Sequence, residues 1–194
     1  MSDHGGGIKV SSPQTKWAVV ALVAGCAASI TAAPGAAGAF GACLFVMALA
    51  VAIVDWRQLI IPDWMNAIVF ALGLAQAAVL SDGTPITTAL AAALARGATL
   101  GGVLLIVKLA YARARGREGL GLGDVKLAGA GGAWVAWTGL PIIIEIAALS
   151  AIVVFLVGPR LAGRQAQWDE RLPFGSFLAP AIWATWLIQT IYGA

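Results

Sequence analysis

Seven runs of apolar residues, separated by short polar breaks, constrain this chain more than anything else in it. They cover Trp17 to Ala33, Ala39 to Val54, Trp64 to Leu80, Ile86 to Ala110, Val125 to Trp137, Ile142 to Val157, and Pro173 to about Tyr192. A spanning helix needs roughly 20 apolar residues, which most of these runs approach and the fifth does not. Hydrophobic residues make up 60% of the 194 and charged residues only 11%, against roughly a quarter charged in soluble domains. The expected fold is therefore an all-α polytopic membrane protein, a bundle of about seven transmembrane helices. Residues 1–16, with Gly5, Gly6 and Gly7 in a row, read as a flexible tail. The first run follows Lys9 and Lys16 like a signal peptide. It is longer than the usual hydrophobic region of roughly 7–15 residues, so it is expected to stay as a helix.

The breaks carry a one-sided charge. Alternating loops place Lys9, Lys16, Arg57, Lys108, Arg113, Arg115, Arg117, Lys126, Arg160, Arg164 and Arg171 on one face, with Arg96 inside a run. That face is cytoplasmic by the positive-inside rule, and so is the N-terminus. The net charge of +3 is thus accounted for by topology. No basic stripe with interleaved aromatics points to nucleic acid. Cys26 and Cys43 lie in apolar runs with no Cys-x-x-Cys pair, and His4 stands alone, so neither a metal nor a cofactor site is indicated. Tryptophans 17, 56, 64, 134 and 137 fall near run ends, as an interfacial belt would. Arg96 and Glu145 lie within runs, nearer the outer face. An unpaired charge there is costly, so the two are expected to pair.

One break stands apart, Glu118-Gly-Leu-Gly-Leu-Gly-Asp-Val-Lys126. Its alternating glycines give access to positive-φ backbone, so the segment can fold tightly and aim Asp124 at a neighbour. No strand precedes it and no lysine-serine pair follows, which excludes a phosphate-cradling loop. Asp55 closes the second run and Asp124 opens the fifth. Two runs separate them, so they share one face. Neighbouring carboxylates cannot both ionise readily and would share a proton. One would then take a proton from water while the other gives one to a peptide carbonyl. The plain alternative is that both are solvated helix ends. For Asp124 the helix dipole favours that alternative; for Asp55, at a helix C-terminus, the dipole opposes it. Pro62 ends the preceding helix, and Asp63 is adequately explained as an N-cap for the third run. Lys126 is either close enough to lower the pair's proton affinity or simply snorkels to the interface. Gly97 and Gly101 allow close helix packing.

The pattern Asp55-x5-Ile61-Pro62-Asp63 followed by Gly121-Leu-Gly-Asp124-Val-Lys126-Leu127 resembles the type IV prepilin peptidases, GxGD-type intramembrane aspartic proteases. Pro173-Phe-Gly-Ser-Phe-Leu178 is similar to that family's C-terminal motif, and the likeness covers roughly 150 residues, from the second run to the seventh. The resemblance implies that residues 17–194 form a single transmembrane peptidase domain in the bacterial inner membrane. Asp55 and Asp124 would be its catalytic aspartates, supported by Pro62, Asp63, Gly121, Gly123 and Lys126. The implied substrate is a type IV prepilin or pseudopilin, cut at the cytoplasmic face after a short basic leader ending in glycine. Many relatives carry an insert with two Cys-x-x-Cys pairs associated with N-methylation; without it, the resemblance argues against methyltransferase activity. Two other classes remain open. A proton- or cation-coupled transporter could use the paired aspartates, although no internal repeat relates the two halves. A non-catalytic assembly subunit would leave both merely solvated.

Overall fold

The computed structural model describes residues 13–116, 118–161 and 173–193. Most of the expected tail, Arg117, and much of the loop carrying Arg164, Asp169, Glu170 and Arg171 lie outside them. The described residues form seven helices and no strand: α1 (Pro13–Ala32), α2 (Ala36–Gln58), α3 (Asp63–Val79), α4 (Ile86–Arg115), α5 (Leu122–Gly132), α6 (Gly139–Leu161) and α7 (Gly175–Tyr192). α2, α4 and α6 are long and apolar enough to cross a membrane. This is a helical membrane protein.

Local chemistry sets the boundaries. α2 stops where Leu59 turns left-handed at φ 55° and donates its N–H to the Asp55 carbonyl. Pro62 and Pro85 precede α3 and α4 in extended backbone, where their missing N–H costs nothing. Gly116 closes α4 at φ 66°, a conformation that a side chain would resist.

α5 is the shortest helix and the most enclosed. α3, α4 and α7 pack around it, while α7 also lies against α1, α2 and α6. Small residues make the α4–α5 seam possible. A Cβ on Gly97 would stand 2.7 Å from the Gly129 carbonyl, and one on Gly132 would stand 2.7 Å from the Arg96 carbonyl. The Gly97-x3-Gly101 spacing therefore serves backbone approach. With 11 residues, α5 does not span alone, so the fifth expected crossing is shorter than a full span. Ala133–Thr138 continue it: the Trp134 indole donates to the Val69 carbonyl at 2.9 Å, and the Gln189 amide engages Ala136 N and Thr138 Oγ1.

The exterior is apolar, with Ile106 at 68% and Leu149 at 63% exposure, as lipid contact demands. Three ionisable groups are turned inward, Asp55, Lys108 and Asp124, and the polar Asn66, Thr185 and Gln189 are buried as well. Two expectations fail here. Trp134 is a core residue rather than a belt residue, although Trp17, Trp56, Trp64 and Trp137 are exposed. Arg96 and Glu145 form no pair, because α4 and α6 share no substantial packing; the Arg96 Nε is buried without a partner.

Candidate active site

Asp55 sits in the last turn of α2, where unsatisfied carbonyls make a poor neighbourhood for an anion. The compensation comes from α7. Ser176 N–H donates to Asp55 Oδ2 at 2.8 Å. The Ser176 hydroxyl lies 3.2 Å from the same oxygen and 3.0 Å from the Ala52 carbonyl, and its single proton serves one acceptor at a time. The positive end of the α7 dipole thus faces Asp55 across the bundle.

Asp124 occupies the first turn of α5, outside the long apolar helices, where its Oδ2 accepts the Gly121 N–H at 3.1 Å. Burial raises its pKa, with the charge of Asp55 adding to the rise; the Gly121 and Gly175 amides and Lys108 pull the other way, and the balance lies at about 6.

Gly175 brings the two acids together. A Cβ built there would be 3.0 Å from Asp124 Oδ1 and 3.0 Å from Asp55 Oδ2. The two oxygens can therefore be no farther apart than twice that distance. Ile61 packs behind them, touching the positions where Gly123 and Gly175 would carry side chains. Glycine is required in this region for closeness rather than for backbone freedom. Among the described glycines, positive φ occurs at Gly35, Gly83, Gly116 and Gly193, not in the 119–123 run. A Cβ at Gly121 would stand 3.1 Å from Asp124 Oδ2, and one at Gly119 would overlap the Tyr111 ring.

The remaining sequence-selected residues are placed less centrally. Pro62 leads into α3. Asp63 is the first residue of that helix and makes no capping bond, which corrects its expected role. It accepts from Lys126 Nζ at 2.7 Å in an exposed pair that ties α3 to α5. Lys126 is thus committed to Asp63, and the ammonium that acts on Asp124 belongs to Lys108. Gly175, Ser176, Ile61, Asn66 and Lys108 were not selected from the sequence. The Pro173-Phe-Gly-Ser motif contained two of them and the Asp55-x5-Ile61-Pro62-Asp63 pattern a third, without a role. Asn66 is buried and lies 3.4 Å from the Gly123 carbonyl, bracing the segment before Asp124.

Next to the pair is an apolar cavity of about 430 Å³. Val103, Leu104 and Val107 of α4, Ile144 of α6, and Leu120 and Phe174 line it; the last two directly precede Gly121 and Gly175 in the chain. Two buried carboxylates that share a proton can hydrolyse a peptide bond, provided that water reaches them. Among the described residues no group of three His, Cys, Asp or Glu could hold a metal.

Comparison with known proteins agrees in kind. A sequence model of the type IV leader peptidase family matches residues 42–156. A "Prepilin leader peptidase/N-methyltransferase" from Burkholderia pseudomallei (strain 1026b) is 35% identical over 180 residues, covering 92% of this chain and 55% of that protein. A protein of the same description from Pectobacterium carotovorum subsp. carotovorum is 31% identical over 164 residues, covering 83% of this chain and 55% of the relative. "Leader peptidase HopD" from Escherichia coli is 42% identical over 86 residues, or 44% of this chain and 55% of that protein. The chain thus spans about half the length of these curated relatives. No solved structure matches it significantly.

Proposed function

The chain belongs to the type IV leader peptidase family, and on that premise we propose that it is an aspartic endopeptidase that removes the leader of prepilins or pseudopilins. The observation that carries this reading is the convergence of Asp55 and Asp124 on Gly175. In the singly protonated pair, the proton resides on Asp124. Asp55 carries the charge, supported by the Ser176 N–H and hydroxyl. Asp55 accepts a proton from water as the oxygen attacks the scissile carbonyl, and Asp124 donates its proton to the carbonyl oxygen. Collapse of the tetrahedral intermediate transfers a proton to the leaving nitrogen and breaks the C–N bond. One water is consumed, and one carboxyl and one amine are released. The pair titrates as a unit throughout.

Residues 17–194 would form one multi-pass peptidase domain in the bacterial inner membrane, with residues 1–16 as its tail. The site would open at the cytoplasmic face, where Arg57, Arg113 and Arg115 cluster by sequence. Relatives named as leader peptidases favour this reading over a transporter or an inert assembly subunit. The test is cleavage of a prepilin by purified protein in detergent, with the two aspartate-to-asparagine variants as controls. No cleavage by the unmodified protein would defeat the proposal.

The apolar cavity would receive the apolar part of the substrate beside the cut bond. Val103→Trp narrows it at a residue 41% exposed, remote from the acids in sequence. The expected result is a rise in KM for intact prepilin of roughly tenfold, with kcat kept. A short leader peptide lacking the apolar part should be cut as before. An unchanged KM for prepilin would place its apolar segment elsewhere.

A further inference from the structure

Lys108 is buried near the end of α4 at 7% exposure. Its ammonium donates to the Leu120 carbonyl at 2.8 Å and lies 3.4 Å from Glu118 Oε2, a carboxylate whose side chain is 79% exposed. The Leu120 carbonyl and the Gly121 N–H belong to the same peptide unit. That N–H donates to Asp124 Oδ2 at 3.1 Å. One rigid amide therefore has a cation on its oxygen and a carboxylate on its hydrogen. Peptide planarity means that fixing the oxygen also fixes the direction of the N–H. A charge on the carbonyl oxygen polarises the amide and strengthens its donor end, the ordinary cooperativity of linked hydrogen bonds.

Resting on the peptidase reading above, we infer that Lys108 is a positioning residue that orients Asp124 through the Leu120–Gly121 peptide unit. Burying a lysine at a helix end is costly unless its donors are used. Loop attachment alone would need only a neutral donor. An ammonium adds what a neutral donor lacks, a field along the amide toward the acid. Lys108 does not touch the scissile bond in this arrangement; it acts on the residue that does.

Among the described residues, the charged groups bearing on Asp124 are Asp55 from α2 and Lys108 from α4. On α3, Asp63 is taken up by Lys126 of α5. α7 has no charged side chain and contributes the Gly175 N–H. Glu118, on the approach to α5, faces Lys108. Removing the Lys108 charge thus takes away the cation that, among the described residues, offsets the charge at Asp124. Both limbs of the pH–rate profile should then move toward higher pH.

The experiment measures kcat and KM against pH for cleavage of a synthetic prepilin by full-length protein, comparing Lys108→Met, Lys108→Gln and Lys108→Arg. Lys108→Met is expected to lower kcat by roughly a hundredfold through misplacement of Asp124, with KM little changed and the profile moved upward. Lys108→Arg should restore the profile and most of the rate. Lys108→Gln, a neutral donor, should keep part of the rate with the profile still displaced. If Lys108→Met does not fold, the Gln and Arg variants decide: a displaced profile for Gln and an undisplaced one for Arg support the inference. An unshifted profile for every charge-removing variant that folds overturns it, whatever the loss of stability. If the unmodified protein cleaves and Asp124→Asn does not, that failure belongs to Lys108 alone. If the unmodified protein does not cleave, or Asp124→Asn does, the peptidase reading falls and the inference with it.

Discussion

Asp55→Asn and Asp124→Asn are each expected to lower leader cleavage by roughly 10³–10⁴-fold, the range in which a positioned acid or base contributes. Asparagine keeps the size of aspartate, so both variants should remain folded. At position 55 its carbonyl oxygen can still accept from Ser176, and at position 124 from Gly121. What is lost is the shared proton. The pH dependence of stability gives a second readout with a definite sign. Burial and the charge of Asp55 raise the Asp124 pKa to about 6, above the ordinary carboxylate value, so folding favours the protonated form. That contribution is complete below the unfolded pKa and is lost as pH rises through about 6. Thermal unfolding in detergent should therefore show the unmodified protein losing stability between about pH 4 and 7. Asp124→Asn should be flatter over the same interval. Wild-type cleavage by either variant would remove the pair from the mechanism.

Gly175→Ala is expected to lower activity by roughly a hundredfold, although alanine is the smallest possible addition. Its Cβ would stand 3.0 Å from a carboxylate oxygen of each acid and 2.5 Å from Ile61 Cδ1. The Ile61 side chain can rotate away. The acids are held by Ser176 and Gly121 and have less room to yield. A displacement of about 1 Å in a reacting group is enough to reduce the rate roughly a hundredfold. Combining Gly175→Ala with Ile61→Val separates the two contacts, because valine lacks the Cδ1 atom. The double variant should recover stability and not kcat. Recovery of kcat would show that the Ile61 overlap, and not the carboxylates, was the obstacle.

The helix framework was legible because apolar runs of spanning length have few other fates in this composition. The meeting of Asp55 with Asp124 was legible as well, since an even number of intervening crossings puts both at one end. What hydropathy does not encode is the rotation of each helix about its axis. Val51 is fully buried while Val46, on the same helix, is 43% exposed; both are simply apolar letters in the run. The two lysines differ in the same way. Lys126 lies two residues from Asp124 and turns outward to Asp63, whereas Lys108, sixteen positions back, turns inward. Trp134 was read as interfacial from its position near a run end. α5 stops early, and the indole fills the space beside Gly73. Arg96 and Glu145 were paired on cost alone, and cost does not make α4 and α6 neighbours. A linear pattern shows the backbone freedom of the glycine run, but its role here is the absence of side chains, which depends on contacts that such a pattern does not contain.

The bonds from Ser176 have a consequence for the order in which the site can come into being. They join positions separated by 121 and 124 residues along the chain, so Asp55 is made long before its donors. Until α7 docks, that carboxylate faces only the carbonyl end of its own helix, and its natural state is solvated. Docking of α7 supplies the donors and at the same time closes Gly175 over both acids. Assembly of the last helix and arming of the acid pair are one event, so a partly assembled chain carries two separate, ordinary aspartates.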